Sequence, residues 1–173
     1  MRVFSFDVES IGLYGPAFAV GYVVLDTSNP KVELESGIFS CDPLDVSGTY
    51  NNHVWVAANV PSLPITAENP SEMRSQFWDR WKYWDALGAY LCADVAYPVE
   101  SNFLSECIRD GQGARDWEGP YPLIDIASIR FAKGLDPLAT ETRLESEMPA
   151  HNPLCDARQS ARLLVEALSK GNV

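Results

Sequence analysis

The first forty residues contain three consecutive segments with the composition of β-strands, and this start restricts the chain to folds that contain a sheet. In residues 2–8, large apolar side chains fall at every second position, as in a strand with one buried face. Residues 17–26 and 31–40 are rich in valine, isoleucine and aromatic residues, and glycine and proline separate the three segments. Two hairpins in succession therefore predict an antiparallel start to the sheet.

The rest of the chain predicts helices that alternate with short strands. Helices are predicted over residues 71–89 with Ser71 as N-cap, over 98–110, over 126–133, and over 153–169 with Asn152 as N-cap. Strands are predicted over residues 90–95 and 121–126. Residues 41–70 contain four prolines and predict a long loop, and residues 134–150 predict at most one short helix. The sequence predicts one domain over residues 1–173, an α/β fold with a central mixed sheet flanked by helices.

Length and composition limit the class of protein. No apolar run approaches the ~20 residues needed to span a bilayer. The first nine residues already contain two acids, so they do not match a secretory signal and we expect a cytoplasmic protein with no membrane partner. The spacing of the four cysteines excludes a CxxC zinc pair and predicts free thiols. The net charge of −11 argues against a protein that grips long duplexes.

Two acids lie close together at the end of the first predicted strand. Asp7 and Glu9 are two residues apart, so their side chains point to the same face of an otherwise apolar segment. Such a pair could hold a metal ion. The alternative is an exposed strand end with two solvated carboxylates.

Two further acids lie on faces of helices that should be buried. Glu100 falls on the apolar stripe of the helix predicted over 98–110. Asp156 falls at the edge of the broad apolar arc of the last helix. An unpaired carboxylate in such a position is costly unless it has a use. The alternative for both is an acid in a first helical turn that interacts with the helix dipole.

A histidine lies next to the last of these acids. His151 precedes Asp156 by five residues, in a predicted loop that could place it over the same site. His53, the other histidine, is expected at the surface of the 41–70 loop. Convergent carboxylates suit two Mg²⁺ or Mn²⁺ ions, which prefer oxygen ligands and can promote phosphodiester cleavage. An unprotonated imidazole nearby could accept the proton of an attacking water.

Two motifs at opposite ends of the chain give a family resemblance. Residues 6–13, FDVESIGL, are close to the Asp-x-Glu motif of the DEDD exonucleases with its following Gly and Leu. Residues 151–158, HNPLCDAR, match the His-x-x-x-x-Asp-Ala motif that opens their last helix. The chain thus resembles the DEDD branch with a catalytic histidine, which includes the proofreading exonuclease of bacterial DNA polymerase III, oligoribonuclease and ribonuclease T.

The second motif of this family is altered. Residues 100–104, ESNFL, keep its spacing to Phe-Leu but have Glu100 in place of the usual aspartate. Asp94 is the rival candidate for this position, and Glu100 is preferred because helix spacing and family spacing agree on it. Asp125 resembles a family position at the start of the next helix and is interpreted as a structural cap.

The resemblance implies a ribonuclease H-like fold and 3′-to-5′ release of nucleoside monophosphates from RNA or single-stranded DNA. It implies that two Mg²⁺ or Mn²⁺ ions are held by Asp7, Glu9, Glu100 and Asp156. It makes His151 the general base. Because several members of the family dimerise, it also allows a homodimer.

For the substrate, the resemblance points to the loop after the first strand. The loop residues implied in substrate binding are Ser10, Ile11, Gly12 and Leu13. The backbone near Ser10 and Ile11 would contact the terminal sugar, and Leu13 would wedge against the terminal base.

Two other functions remain open from the sequence. One is a nucleic-acid-binding module with a weak catalytic site, in which the loop residues Trp55 and Trp117 would stack on bases. The other is a phosphodiesterase for small nucleotides, which the acidic composition allows.

Overall fold

The computed structural model describes residues 1–169 as a five-stranded sheet with helices on its faces. The strands are β1 (Arg2–Ser10), β2 (Ala17–Asp26), β3 (Glu33–Ser40), β4 (Ala89–Ala93) and β5 (Ile124–Asp125). The α-helices are α1 (Tyr50–Asn59), α2 (Pro70–Ala86), α3 (Val99–Asp110), α4 (Ile126–Ala132) and α5 (Pro153–Ser169). Two 3₁₀ turns lie at Pro43–Asp45 and Glu145–Glu147. The α/β class with a mixed sheet flanked by helices is confirmed.

The sheet has the order β3-β2-β1-β4-β5. β2 pairs antiparallel with both β1 and β3, which confirms the two predicted hairpins. β4 pairs parallel with β1 over four residue pairs, from Arg2↔Ala89 to Ser5↔Cys92. The parallel ladder therefore ends before the carboxyl half of β1, which projects beyond β4.

The alternation of β1 divides the core into two parts. The even positions, Phe4, Phe6 and Val8, lie in a cluster with the buried side chains of α2 and α3. On the other face, Val3 packs in a cluster with buried residues of α4 and α5. The face of β1 that includes Asp7 and Glu9 is therefore the face covered by α5.

The prediction of a long loop over 41–70 is wrong, because this segment contains α1. Thr49 caps the helix, and its Oγ1 accepts a hydrogen bond of 3.3 Å from the Asn52 amide. Only Val56 of the helix is buried, in a small cluster that includes Ile11 and Phe18. The helix therefore lacks the broad apolar stripe on which sequence recognition depends, and long-range contacts hold it.

Several predicted boundaries also shift. The N-cap of α2 is Asn69, not Ser71, because Pro70 occupies the first helical position and the preceding residue must cap. β5 has two residues instead of the six predicted over 121–126, and β3 begins at Glu33. Asn152 does cap α5, since its Oδ1 accepts from the Leu154 and Cys155 amides at 3.1 and 3.4 Å.

The fold also bears on the cysteines and on membrane-spanning segments. The four cysteines are free, as predicted, and all four are buried. Among the helices of residues 1–169, none is long and apolar enough to cross a membrane.

Candidate functional site

Asp7 and Glu9 lie where β1 extends past its parallel neighbour. Glu9 is buried, with 8% of its surface exposed, and Asp7 is partly buried. In the pairing with β2, Asp7 lies opposite Gly21. The alternative of a solvated strand end is therefore excluded for this pair.

Gly21 allows α5 to approach this part of the sheet closely. A Cβ atom at position 21 would lie 2.2 Å from the carbonyl carbon of Pro153 and from the amide nitrogen of Leu154. Real Cβ contacts are essentially never that short, so only glycine fits without displacing the helix. The missing side chain lets the first turn of α5, which includes Asp156, lie directly over β1 and β2.

Glu100 lies in the first turn of α3 with 9% of its surface exposed. Burial raises its pKa from 4.5 to about 7, and the charge of Asp94 also raises it. Hydrogen bonds from the backbone amides of Glu100 itself and of Val8 oppose this rise. The carboxylate thus reaches back to the free edge of β1, beside Asp7 and Glu9.

The carboxylate of Asp156 accepts hydrogen bonds from two donors. Its Oδ2 accepts a bond of 3.0 Å from the backbone amide of His151, and its Oδ1 accepts from Nη1 of Arg143. Burial raises the pKa of Asp156, while the bond and the charge of Arg143 act in the opposite direction. Asp156 is therefore both a partly buried acid and the partner of a cation.

The four predicted acids form one electrostatic cluster. Burial raises the pKa of Asp7 well above 3.8, and the charges of Asp156 and Glu100 raise it further, followed by that of Glu9. Burial also raises the pKa of Glu9 to about 8, with Asp156 and Glu100 again adding to the rise. Carboxylates from β1, α3 and α5 thus repel one another in a poorly solvated place, a pattern typical of functional sites.

His151 lies at the edge of this cluster. Its Nδ1 is 3.9 Å from Oε1 of Glu9, and the backbone has a φ of 60°, which non-glycine residues seldom adopt. The imidazole packs edge-on against the indole of Trp55, with ring centroids 5.2 Å apart and planes at 81°. The expected position of His151 in a loop is confirmed. Its backbone hydrogen bond to Asp156 and its aromatic contact with Trp55 hold this loop in place.

Asp94, the rival of Glu100, lies just after β4 and is partly buried. Burial raises its pKa, and the charge of Arg130 opposes the rise. Its own charge raises the pKa of both Asp7 and Glu100, so it borders the cluster. Asp125 is a structural cap as predicted, since its carboxylate accepts from the amides of Ser128 and Ala96 at 2.6 and 2.8 Å.

Of the four residues implied in substrate binding, Ser10 ends β1, and Ile11, Gly12 and Leu13 lie in the turn that follows it. The amides of Ile11 and Gly12 donate to Pro16 and Ser10 carbonyls within this turn, and the Ile11 side chain is buried. Leu13 has an exposed side chain. An open cleft of about 410 Å³ is lined by residues 11–16 and by Ser47, Gly48, Thr49 and Asn52.

Nothing in the sequence indicated Arg143 or Asn52 at this site. The sequence also predicted a loop where Trp55 and His53 lie on a helix. Arg143 lies in the irregular 134–150 segment, where no periodicity marks it. Trp55 and His53 lie on α1, not in a loop, and His53 is partly buried. Asn52, also on α1, donates a hydrogen bond of 3.3 Å from its side chain to the Ile11 carbonyl and so joins this helix to the turn. Trp117 lies in a loop and is 90% exposed.

The donor set suits a divalent cation with a preference for oxygen. One oxygen of Glu9, one oxygen of Asp156 and one ring nitrogen of His151 lie within 4.8 Å of one another. Asp7 and Glu100 add negative charge beside them. A divalent cation there would reduce the repulsion that raises these pKa values.

Comparison with known proteins adds no assignment. No protein-family model matches the chain, and no curated protein matches it significantly.

Proposed function

We propose that this protein is a metal-dependent 3′-to-5′ exonuclease that acts on the ends of short RNA or single-stranded DNA. The observation on which the proposal depends is geometric: ligand atoms of Glu9, Asp156 and His151 lie within 4.8 Å of one another, and the charge of Glu100 acts on both Asp7 and Glu9 beside them. A buried cluster of this charge has an evident use in holding divalent cations. The proposal includes a ribonuclease H-like fold, with which the mixed sheet agrees.

The roles follow from the chemistry of each group. The four carboxylates would hold two Mg²⁺ or Mn²⁺ ions, whose chemistry is to stabilise charge on the attacking and leaving oxygens. His151 would accept a proton from the attacking water, whose oxygen bonds to the terminal phosphorus while the bond to the 3′ oxygen breaks. The products are a nucleoside 5′-monophosphate and a chain with a new 3′ hydroxyl.

Exposed apolar side chains beside the site favour a single-stranded substrate. Leu13 and Tyr14 are 59% and 70% exposed on the turn after β1. Trp55 is 48% exposed on the neighbouring α1 and contacts His151. Aromatic faces next to a catalytic group stack on unpaired bases with little sequence preference. The net charge of −11 favours short substrates, because each phosphate of a longer chain adds repulsion.

The experiment measures the product and the preferred length. Oligomers of RNA and DNA, from dinucleotides to twelve nucleotides, are incubated with Mg²⁺, Mn²⁺ or EDTA, and released mononucleotides are separated by chromatography. We expect nucleoside 5′-monophosphates with either metal and none with EDTA. Asp7→Asn is the matched inactive control. Cleavage of dinucleotides alone would favour the small-nucleotide phosphodiesterase, and binding without cleavage would favour the binding module.

A further inference from the structure

Arg143 places a positive charge inside the carboxylate cluster. Its Nη1 donates to Oδ1 of Asp156 and, at 2.9 Å, to the carbonyl of Glu147. The side chains of Arg143 and Asp156 are only 24% and 13% exposed. Water and salt screen such a pair less than a surface pair, so the interaction is a strong local feature of the site.

The segment that contains Arg143 is anchored to α5. Glu147 is 2% exposed, and Arg162 of α5 donates to its two carboxylate oxygens at 2.6 and 2.9 Å. Arg162 also donates to the carbonyl of Thr142 at 3.0 Å, and the Leu144 amide donates to Glu147 at 2.9 Å. Both neighbours of Arg143 are thus held, and its backbone is fixed opposite Asp156.

We propose that Arg143 competes with a divalent cation for Asp156 and that a phosphate group of the nucleotide is its alternative partner. The inference rests on the proposed function, because it assumes that Asp156 is a metal ligand. A guanidinium and a divalent cation on one carboxylate repel each other, so each weakens the binding of the other. A guanidinium also binds phosphate oxygens through paired hydrogen bonds.

The consequence is a coupling between metal and nucleotide. When a metal ion takes Asp156, Arg143 is released for the phosphate, and when a phosphate takes Arg143, Asp156 is released for the metal. Each ligand therefore increases the affinity for the other. The cluster would bind its full complement of metal only together with a substrate or product phosphate.

The test measures Mn²⁺ affinity directly and needs no enzymatic turnover. Protein treated with EDTA and then desalted is titrated with Mn²⁺ by calorimetry, with and without adenosine 5′-monophosphate. We expect Arg143→Gln to bind Mn²⁺ alone about 5- to 150-fold more tightly than wild type, the usual range of a coupling between sites. We also expect the nucleotide to increase Mn²⁺ affinity less in this variant than in wild type.

The control is Arg158→Gln, which removes the same charge from a residue of α5 that pairs with the sheet and not with Asp156. Arg158 pairs with Glu33 of β3 at 2.6 Å, so Mn²⁺ affinity should stay at the wild-type value. Circular dichroism checks that each variant folds. Unchanged or weaker Mn²⁺ binding by folded Arg143→Gln would overturn the inference and leave the proposed function intact.

A second measurement needs no variant. If adenosine 5′-monophosphate leaves the Mn²⁺ affinity of the wild-type protein unchanged, the coupling does not exist and the inference is overturned. If the wild-type protein does not bind Mn²⁺ even in the presence of adenosine 5′-monophosphate, both the inference and the proposed function are overturned.

Discussion

The backbone amide of His151 donates a hydrogen bond of 3.0 Å to Oδ2 of Asp156, across the first turn of α5. The bond joins the proposed general base to a proposed metal ligand. It also helps to hold His151 at a φ of 60°, a conformation that costs free energy in a non-glycine residue. The loop and the helix therefore position the imidazole and the carboxylate as one unit.

The role of His151 can be separated from metal binding. We expect His151→Ala to lower kcat by ~10²–10⁴-fold, the usual loss when a general base is removed. Mn²⁺ affinity should persist, because the carboxylates remain. The measurement is the rate with saturating oligomer together with a Mn²⁺ titration. A large loss of Mn²⁺ affinity would instead assign the imidazole as a metal ligand, which its distance from Glu9 and Asp156 allows.

Trp55 should act through His151. The indole packs against the imidazole, so Trp55→Ala should free the ring and lower kcat, whereas Trp55→Phe should keep most of the contact. The measurement is a double-mutant cycle for kcat. If Trp55 positions His151, Trp55→Ala should have little further effect in the His151→Ala background. An equal effect in both backgrounds would show that Trp55 acts on the substrate instead.

The third acid can be assigned by two isosteric variants. Glu100 is more buried than Asp94, and its charge raises the pKa of both Asp7 and Glu9. Glu100→Gln should therefore abolish measurable cleavage and weaken Mn²⁺ binding, while Asp94→Asn should retain both. The reverse result would assign Asp94 as the ligand and Glu100 as its neighbour.

Gly21 should be needed for the closure of α5 on the sheet. Gly21→Ala would place a Cβ atom against the backbone of Pro153 and should destabilise the fold by about 1–3 kcal/mol, a common cost of overpacking. Urea denaturation measures the free energy of unfolding. Gly119→Ala is the control, because its Cβ would meet the exposed ring of Tyr121 at 3.2 Å and the side chain of Ile108 at an ordinary 3.9 Å, and the stability should change little.

The elements with clear periodicity were predictable from the sequence. Large apolar side chains fall at every second position of β1, and α3 and α5 have apolar stripes that placed Glu100 on a buried face and Asp156 at the edge of one. The spacing of Asp7 and Glu9 predicted that their side chains lie on the same face of the strand. These predictions succeeded because each depends on neighbours within one element.

The parts of the fold and of the site that the sequence did not predict depend on contacts between distant segments. α1 buries one residue, so nothing local distinguishes it from the loop that we predicted, and Trp55 could not be placed beside His151. Arg143 reaches Asp156 only because Arg162 and Glu147 anchor its segment to α5. Such a contact between distant segments cannot be predicted from residue spacing.

The acid cluster should make stability depend on pH in the protein without divalent metal. Burial raises the pKa of Glu9 from 4.5 to about 8, so the unfolded chain gives up this proton at lower pH than the folded protein. The folded state therefore loses stability as the pH rises from 4.5 towards 8. Glu100, whose pKa is raised to about 7, changes stability in the same direction.

The measurement is the melting temperature across this pH range, in EDTA and in Mn²⁺. We expect Tm in EDTA to fall with rising pH, and Mn²⁺ to stabilise most at the alkaline end, where the carboxylates are ionised. Glu9→Gln should flatten the dependence in EDTA. A Tm that is independent of both pH and Mn²⁺ would argue that the cluster does not bind cations.

The most direct test of the central claim is the direction and metal dependence of cleavage. A single-stranded oligomer labelled at its 5′ end is incubated with the wild-type protein and Mg²⁺ or Mn²⁺, and the products are separated at single-nucleotide resolution. An exonuclease of the proposed kind gives a ladder that shortens from the 3′ end, and EDTA abolishes it. Persistence of the full-length RNA and DNA oligomers with both metals would contradict the account, as would early release of the label as a mononucleotide.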